Sequence, residues 1–473
     1  MIFLQSSMYN KKVKIVATIG PSSNTFQLLF DLARAGVDVY RINLSHQPAE
    51  EVKRLVADMR MVEKKIGRPI SIMGDLAGPK IRIGKVEKGV VLTNNSLVEV
   101  WHKAVEGTAT RLSVNYPTII PQLKKGAEIF VDDGKIRMVV EVEGKEKAIA
   151  RVVVGGPLVS FKGFYAQGLS LDNHGLTKKD REDVELMVEN GVDALAISFV
   201  QDEKDVTAVR KMLPKDSSIM LIAKIETAKA IENIEKIITA ADGIMVARGD
   251  LGLAVPMSEV PHLQKKLITL GLKRAKPVIT ATQMLESMTS NPLPTRAEVT
   301  DVANAILDGT DAVMLSGESA MGKFPVETVT MMAQIIEDAV PYVTVRKYDD
   351  EQAIGNAVSL SAGDMADQIG ARLIVAFTHQ GKAARRISRH RHSQIIIALS
   401  PVAETIRHLN FSYGVFPFMI QPTKGFIDMT VQAKEIATKN SVISLKKGEA
   451  FVIAAGMPFG ESGTTNMILV ERV

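Results

Sequence analysis

Eight short apolar runs, rich in β-branched residues, recur along the first 340 residues and limit the possible folds more than any other feature of this sequence. They span residues 14–20, 38–44, 69–75, 193–200, 219–226, 243–250, 277–283 and 311–318. Each run is nearly continuously apolar at its start, as is typical of a strand that is buried on both faces of a parallel sheet. Segments with helical periodicity lie between most of the runs.

Two of the helical segments have recognisable ends. After the first run, Ser23 is expected to cap a helix that stops at Gly36, and after the seventh run Thr295 precedes another amphipathic stretch. Strand–helix alternation repeated eight times predicts an α/β protein built on a TIM (β/α)8 barrel, because eight such units close on themselves. Two stacked doubly wound sheets are the alternative on pattern alone.

The alternation is interrupted once and later gives way to a second pattern. Between about residues 79 and 174 the chain alternates with period two and turns often, which predicts an inserted small β-barrel placed to act as a lid. From about residue 341 a separate α/β pattern begins. We therefore expect a barrel domain at 1–78 and 175–340, a lid at 79–174, and a C-terminal α/β domain for regulation and oligomerisation at 341–473.

The composition excludes several classes of function. The chain has no cysteine, so it has no disulfide, thiolate nucleophile or cysteine-ligated metal. Its net charge of +5 is too small to indicate nucleic acid or a membrane as a partner. No apolar run approaches the ~18 residues of a membrane span, and the N-terminus lacks the order of a signal peptide. These features predict a cytoplasmic protein.

Polar residues cluster where seven of the apolar runs end. They are Arg41, Asn43 and Ser45; Asp75; Ser198; Lys224 and Glu226; Arg248 and Asp250; Thr280, Thr282 and Gln283; Ser316 and Glu318. The carboxyl ends of the strands, which we call the rim, are where barrel enzymes hold their catalytic residues. Ordinary strand-to-loop polarity accounts for one or two such clusters but not for seven, so the rim is the expected active site.

Two acidic residues at the rim indicate a metal site. Lys224 and Glu226 are two apart on one strand, so their side chains leave the same face, and Asp250 ends the next strand. Two carboxylates with room for water and substrate oxygens suit octahedral Mg²⁺ or Mn²⁺. An ammonium beside that metal requires a bridging anion, so Lys224, with Arg41 and Arg82, indicates a phosphate or carboxylate substrate. A structural Lys–Glu ion pair is the competing interpretation.

Other rim positions have two interpretations each. Gly249 lets backbone N–H groups approach an anion, or it forms a simple turn. The Thr282 hydroxyl points into the pocket, or it caps the following turn. Ser316 and Glu318 relay protons or hold water, or they stabilise the local turn.

Eight motifs, in chain order, resemble those of the pyruvate kinase family. They are TIGPSS (18–23), RINLSH (41–46), GDLAGPKIRIG (74–84), ISFVQ (197–201), AKIET (223–227), MVARGDLG (245–252), ATQMLESM (281–288) and SGESAMGKFP (316–325). The similarity extends through the inserted and C-terminal segments, and ARGDLG together with ATQMLESM is its most specific part. The resemblance implies a phosphotransferase that moves the phosphoryl group of phosphoenolpyruvate to ADP, giving ATP and pyruvate, the last step of glycolysis.

The resemblance also implies roles for single residues. Glu226 and Asp250 would bind the divalent metal, and Lys224 would stabilise negative charge during transfer. Gly249 and Thr282, beside Asp250, would contact the enolate and carboxylate end of the substrate. The other implied roles are phosphate binding by Arg41 and Arg82, nucleotide binding by Arg82, Lys162 and His46, and a water network at Ser316 and Glu318 that protonates the enolate.

The family's monovalent-cation site is altered in this sequence. Asn43, Ser45, Asp75 and the carbonyl of Leu76 occupy the positions of the K⁺ ligands. The family's Asp-Thr-Lys-Gly-Pro-Glu motif reads Asp-Leu-Ala-Gly-Pro-Lys here, so its last glutamate is replaced by Lys80. An internal ammonium there predicts K⁺-independent activity, as in the branch of the family with this lysine. The rival interpretation is that Lys80 points to solvent and K⁺ still binds.

The effector site of the C-terminal domain is altered too. The family's Thr-x-Ser-Gly-x-Ser loop for a sugar phosphate reads Thr-His-Gln-Gly-Lys-Ala at 378–383, which makes fructose 1,6-bisphosphate doubtful as an activator. Arg385, Arg389 and His392 are expected on one face of the following basic helix, where a phosphorylated effector could bind with the SGTTN loop at 462–466. A solvated face or a subunit interface is equally compatible. The family resemblance further implies a homotetramer.

Two other functions are compatible with the residues. A Mg²⁺-dependent barrel lyase that forms a pyruvate enolate would use the same Glu and Asp but no nucleotide and no lid. A catalytically silent sensor of phosphorylated metabolites would act through the C-terminal domain, although the intact Lys224, Glu226, Asp250 and Thr282 argue against it.

Overall fold

The computed structural model describes residues 11–45, 47–132, 134–169, 176–348, 353–458 and 464–473, and for Pro117 only the backbone. Within those ranges no helix is both long and apolar enough to cross a membrane.

The chain begins with the predicted alternation of strand and helix. Its first elements are β1 (Lys14–Ile19), α1 (Phe26–Ala35), β2 (Val39–Asn43), α2 (Ala49–Ile66) and β3 (Ser71–Asp75). The predicted cap of α1 is wrong, because the cap is Thr25, whose side chain accepts from the N–H of Leu28. Ser23 instead accepts from the N–H of Gly20 and closes the turn before the helix. Gly36 ends α1 as predicted, at φ 122°, a conformation that glycine adopts without strain.

An all-β domain follows β3. Its strands are β4 (Val91–Leu92), β5 (Leu97–Trp101), β6 (Arg111–Ser113), β7 (Glu128–Val131), β8 (Ile136–Val142), β9 (Lys147–Val154), β10 (Gly156–Pro157) and β11 (Phe164–Ala166), with a 3₁₀ helix at Pro117–Gln122. Six strands form one sheet in the order β11-β7-β8-β9-β5-β6, and β4 pairs with β10. Alternate residues of β8 and β9 are buried, so the period of two in the sequence comes from one face that packs on the domain's own core.

The alternation then resumes. The elements are α3 (Lys178–Glu189), β12 (Ala194–Ile197), α4 (Glu203–Met212), β13 (Met220–Ile225), α5 (Ala228–Glu232), α6 (Ile234–Ala240), β14 (Gly243–Ala247), α7 (Arg248–Ala254), α8 (Val260–Lys273), β15 (Val278–Ala281), α9 (Arg296–Leu307), β16 (Ala312–Leu315), α10 (Gly317–Ala320) and α11 (Pro325–Ala339). Short 3₁₀ helices lie at Met257–Glu259, Glu286–Thr289 and Val340–Tyr342. Thr295 caps α9 as predicted, in a reciprocal capping box with Glu298.

Eight parallel strands close into the predicted barrel. Their order is β1-β16-β15-β14-β13-β12-β3-β2, so the alternative of two stacked sheets is excluded. Buried apolar side chains such as Val16, Met73, Met245 and Met314 fill the interior together with Phe411. Because the interior is packed, substrates have access only to the ends of the barrel.

The C-terminal domain has its own sheet. Its elements are α12 (Ile354–Gln368), β17 (Leu373–Phe377), α13 (Lys382–Ser388), β18 (Ile395–Ser400), α14 (Ala403–His408), a 3₁₀ helix at Leu409–Phe411, β19 (Val415–Met419), α15 (Phe426–Thr438), β20 (Ala450–Gly456) and β21 (Thr465–Arg472). The strand order is β19-β18-β17-β20-β21, with β21 antiparallel to β20. The predicted α/β domain is thus confirmed, whereas the residue boundaries of the three domains stay predictions.

This domain docks on the amino ends of the barrel strands, opposite the rim. Ser71, at the start of β3, donates to the carbonyl of Arg407 at 2.6 Å, and Lys14 donates to the carbonyl of Val415 at 2.7 Å. The Arg391 side chain is fully buried, pairs with Asp311 at 2.9 Å and lies over the ring of Tyr413. A buried arginine therefore joins the two domains.

Replacing Arg391 by Met is expected to lower the free energy of unfolding by about 3–5 kcal/mol, because the Asp311 carboxylate loses its buried partner. Urea unfolding followed by circular dichroism measures this change. Arg372→Met is the matched control, since Arg372 is 61% exposed and its pair with Glu449 spans 3.5 Å; we expect an effect of about 0–1 kcal/mol there. Equal stability losses for the two variants would contradict the buried interdomain pair.

Candidate active site

Lys224 lies at the centre of the rim. Its buried ammonium is 3.2 Å from Asp75 Oδ1, 2.9 Å from Glu226 Oε1 and 2.7 Å from Ser198 Oγ. Asp75 ends β3, Ser198 follows β12, and Lys224 belongs to β13, and these three strands are consecutive in the barrel. Parallel pairing in register therefore brings together side chains that are about 150 positions apart in the sequence.

A second cation completes this charge cluster. Arg41, near the end of β2, donates through Nε to Asp75 Oδ2 at 2.6 Å and through Nη1 to Thr18 Oγ1 at 2.7 Å. Burial alone would raise the pKa of Asp75, but Arg41 and Lys224 outweigh burial and lower it. Asp75 is thus held ionised between two cations.

The electrostatics also fix the charge of Lys224. Burial alone would lower its pKa, but the carboxylates of Asp75 and Glu226 outweigh burial and raise the pKa above the ordinary lysine value. The ammonium consequently stays protonated at neutral pH.

Glu226 and Asp250 are electrostatic neighbours, as the sequence predicts. Glu226 is almost completely buried, and its Oε2 accepts from the N–H of Phe199 at 2.7 Å. Burial and then the charge of Asp250 raise the pKa of Glu226, against the opposing effect of Lys224. Two neighbouring carboxylates, one buried and one half-buried, offer the oxygen ligands that a divalent cation such as Mg²⁺ prefers. Asp250 lies in the first turn of α7 and lines a pocket between barrel and lid.

Thr282 and Gly249 contact each other directly. The N–H of Gly249 donates to Thr282 Oγ1 at 2.8 Å, and that hydroxyl donates to the carbonyl of Ala281 at 2.6 Å. Thr282 and Gln283 have φ of 70° and 53°, values that non-glycine residues rarely adopt. Strained backbone of this kind occurs where a site must hold a side chain in one orientation.

Arg248 supports this strained segment. Its Nη2 donates to the carbonyls of Thr282 at 2.8 Å and Gln283 at 3.2 Å, and its Nη1 pairs with Asp301 at 2.8 Å. The sequence predicts Arg248 at the rim without indicating a role for it. Its position next to Gly249 and Asp250 in the sequence is the one signal of a role in the site. Its contacts with Thr282, Gln283 and Asp301 form only when the loops are folded.

Glu318 mainly organises backbone. Its fully buried carboxylate accepts from the N–H groups of Ser316 at 2.7 Å and Leu285 at 3.1 Å, and so links the segments that follow β15 and β16. The interpretation of Glu318 as a local structural residue accounts for these contacts. Ser316 is half-buried beside it.

The predicted monovalent-cation ligands already bond to other protein groups. Asn43 Oδ1 accepts from the N–H of Ser45 at 3.1 Å, and the carbonyl of Leu76 accepts from Ser198 at 2.7 Å. Both oxygens of Asp75 are paired, as described above. Lys80 lines the pocket between lid and barrel, together with Asp250.

Arg82 and Lys162, two of the residues predicted on the nucleotide side, lie in the lid. Arg82 donates to the carbonyl of Phe161 at 3.0 Å, and Lys162 pairs with Asp132 at 2.9 Å. Residues from both domains, including Tyr165 of the lid, line the pocket beside them. His46 lies outside the described residues.

The predicted effector face is not formed as expected. The helix α13 ends at Ser388, so Arg389 and His392 lie beyond the helix that carries Arg385. Arg389 donates to the carbonyl of Lys273 at 3.0 Å, and His392 pairs with Asp367 at 2.7 Å. The helical pattern of the sequence extends beyond Ser388, where the helix ends. The side chains of Arg389 and His392 are instead bonded to other parts of the protein. Of the SGTTN loop, Ser462 and Gly463 lie outside the described residues.

The fold and the charge cluster define an (β/α)8-barrel enzyme with cations and neighbouring carboxylates at its carboxyl rim and a β domain beside them. Comparisons with known proteins identify the family. Family models described as "Pyruvate kinase, barrel domain" and "Pyruvate kinase, alpha/beta domain" match residues 10–329 and 356–471. The chain belongs to the pyruvate kinase family and is a phosphotransferase.

Individual relatives agree over nearly the whole chain. The pyruvate kinase of Methylorubrum extorquens is 38% identical over 98% of both chains. That of Geobacillus stearothermophilus is 40% identical over 98% of this chain and 80% of its own length. A crystal structure of a pyruvate kinase from Cryptosporidium parvum is similar with a TM-score of 0.90 at 31% identity, covering 98% of this chain and 97% of the other.

Proposed function

We propose that the protein transfers the phosphoryl group of phosphoenolpyruvate to ADP, giving ATP and pyruvate as the last step of glycolysis. The observation that carries this proposal is the buried Lys224 ammonium between Asp75 and Glu226, with Asp250 beside them. Family membership supports the reaction type. Phosphoryl transfer needs in-line positioning and neutralisation of charge more than covalent help from the protein, and this cluster offers fixed charges of both signs.

Lys224 acts by its charge. Its raised pKa makes it a poor general base at neutral pH, so its role is to attract the migrating phosphoryl group and stabilise the negative charge left on the enolate. Arg41, whose guanidinium bonds to Asp75 and Thr18, would hold the phosphate of the substrate.

Glu226 and Asp250 would hold Mg²⁺ or Mn²⁺, which neutralises substrate oxygens when bound. Gly249 and Thr282, which contact each other, would bind the carboxylate and enolate end of the substrate. Ser316 and Glu318 would hold the water that protonates the enolate.

The lid completes the site. The pocket between lid and barrel contains apolar lid residues such as Phe130 and Tyr165 facing Asp250 and Leu253 of the barrel. Closure over ADP, with Arg82, Lys162 and His46 on the nucleotide side, would exclude water that otherwise accepts the phosphoryl group.

The reaction is tested by incubating phosphoenolpyruvate and Mg²⁺ with and without ADP while pyruvate and ATP are measured together. We expect equal amounts of both products, and only when ADP is present, because the enolate leaves only when the phosphoryl group has an acceptor. Pyruvate without ADP would identify the lyase instead. Absence of pyruvate in both mixtures would identify a silent sensor.

We also propose that activity does not require K⁺. Lys80 lines the pocket that contains Asp250, so its ammonium can provide positive charge there, and the oxygens of Asn43, Asp75 and Leu76 already accept bonds from protein groups.

Turnover in tetramethylammonium buffer should change little when KCl is added. KCl should stimulate the turnover of Lys80→Glu about tenfold or more. A tenfold increase corresponds to an activation free energy that is lower by about 1.4 kcal/mol. Lys88→Glu, which places the same charge change at an exposed lid position, is the control and should stay insensitive. Strong stimulation of the unmodified protein by KCl would contradict the proposal.

For the whole protein we propose a homotetramer in the cytoplasm, with a phosphorylated effector other than fructose 1,6-bisphosphate. Membership of the pyruvate kinase family supports the homotetramer. The loop at 378–383 lacks the two serines of the family's sugar-phosphate loop, which argues against fructose 1,6-bisphosphate as the effector.

A further inference from the structure

A histidine of the C-terminal domain lies buried against the side of α12. It is His392, from the segment between α13 and β18, and its side chain is 3% exposed. A Cβ atom at Gly363 of α12 would lie 2.1 Å from Cδ2 of the imidazole, so the ring reaches the helix only because residue 363 has no side chain. Two carboxylates of the same helix, Asp364 and Asp367, flank the ring. We call Asp364, Asp367 and His392 the α12 cluster.

One ring nitrogen of His392 is fixed as a donor. Its Nδ1 lies 2.7 Å from Oδ2 of Asp367. An ionised carboxylate only accepts hydrogen bonds, so Nδ1 carries a proton, and in the neutral imidazole Nε2 then keeps its lone pair. Asp367 is held in place by Gln394, whose side-chain nitrogen donates to its Oδ1 at 2.8 Å.

The other ring nitrogen faces an acceptor. Nε2 of His392 is buried and has no hydrogen-bond partner among the described residues. It lies 3.9 Å from Oδ1 of Asp364, which is too far for a hydrogen bond. Lys347 donates to the other carboxylate oxygen, Oδ2, at 3.1 Å. A buried acceptor without a donor is unfavourable, and a cation shared between Nε2 and Oδ1 would remove that cost.

We propose that the α12 cluster binds a divalent transition-metal ion such as Zn²⁺ through Nε2 of His392 and Oδ1 of Asp364. Zinc bonds to nitrogen and oxygen are about 2.0–2.2 Å long, so an ion bonded to both atoms fits the 3.9 Å gap with a bent angle at the metal. Asp367 is the positioning residue, because a carboxylate that accepts from the second ring nitrogen orients a metal-binding histidine. Water completes the coordination, since Asp364 is half-buried.

The ligand atoms distinguish this site from the rim. Glu226 and Asp250 offer oxygen atoms only, which suit Mg²⁺, whereas an imidazole nitrogen suits Zn²⁺. The α12 cluster belongs to the C-terminal domain, so the proposal goes beyond the reaction proposed above and does not rest on it.

Two lysines face the cluster without blocking it. The Lys347 side chain is 64% exposed, so it can turn into water when an ion binds beside Asp364. Lys12 interacts electrostatically with Asp367, but its ammonium donates to the backbone carbonyls of His392 and Ser393. Nε2 of His392 and Oδ1 of Asp364 therefore stay available to a metal.

The test is isothermal titration calorimetry of the whole protein with Zn²⁺, in excess Mg²⁺ to occupy the rim. We expect Zn²⁺ to bind the unmodified protein. Asp367→Ala removes the group that orients the ring and should weaken binding about 10–100-fold. His392→Asn and Asp364→Ala each remove a direct ligand and should weaken binding at least as much.

Two matched controls replace the same residue types at exposed helical positions. His262→Asn, in α8, and Asp338→Ala, in α11, should bind Zn²⁺ as the unmodified protein does. A parallel titration of Glu226→Gln separates the cluster from the rim, and we expect unchanged affinity there.

Three results would overturn the proposal. They are absence of Zn²⁺ binding, affinity unchanged in both His392→Asn and Asp364→Ala, and affinity lost only in Glu226→Gln, which would place the ion at the rim. If His392→Asn fails to fold, Asp364→Ala and Asp367→Ala decide the question, because both carboxylates are at least partly exposed. None of these outcomes alters the pyruvate and ATP measurement that tests the reaction.

Discussion

The ammonium of Lys224 among the side chains of Asp75, Ser198 and Glu226 is the interaction on which the rest of the site depends. A buried cation persists only when carboxylates offset its loss of hydration. Here Glu226 directly follows the strand of Lys224, and Asp75 ends β3, which is separated from that strand by β12 in the closed barrel. Arg41 and Asp250 then extend the cluster with one further charge of each sign. The barrel provides the geometry, and the cluster provides fixed charges of both signs at its rim.

The two ends of the barrel have different tasks. The rim carries the charge cluster and faces the lid, whereas the amino ends of the strands are covered by the C-terminal domain. Phe411 from that domain packs into the barrel interior, and Arg391 joins the domain to Asp311.

Much of the architecture was predictable because buried parallel strands and amphipathic helices leave clear patterns. All eight predicted barrel runs became strands, although most end earlier than predicted, since their polar ends, such as Arg248 to Asp250, turn into helices and loops. The cap at Thr25 and the end of α13 at Ser388 were missed because several residues nearby suit a cap or continue a helical pattern. The bonds of Ser198 and Arg248 join segments far apart in sequence, so only the folded loops show them.

The most direct test of the account is the turnover number of Lys224→Met, measured with saturating phosphoenolpyruvate, ADP and Mg²⁺. If the Lys224 charge stabilises the transferring group, kcat falls by about 100-fold or more. Lys236→Met, on the exposed surface of α6, serves as the matched control and retains normal turnover. A folded Lys224→Met protein with turnover close to that of the control would contradict the central role of the buried ammonium.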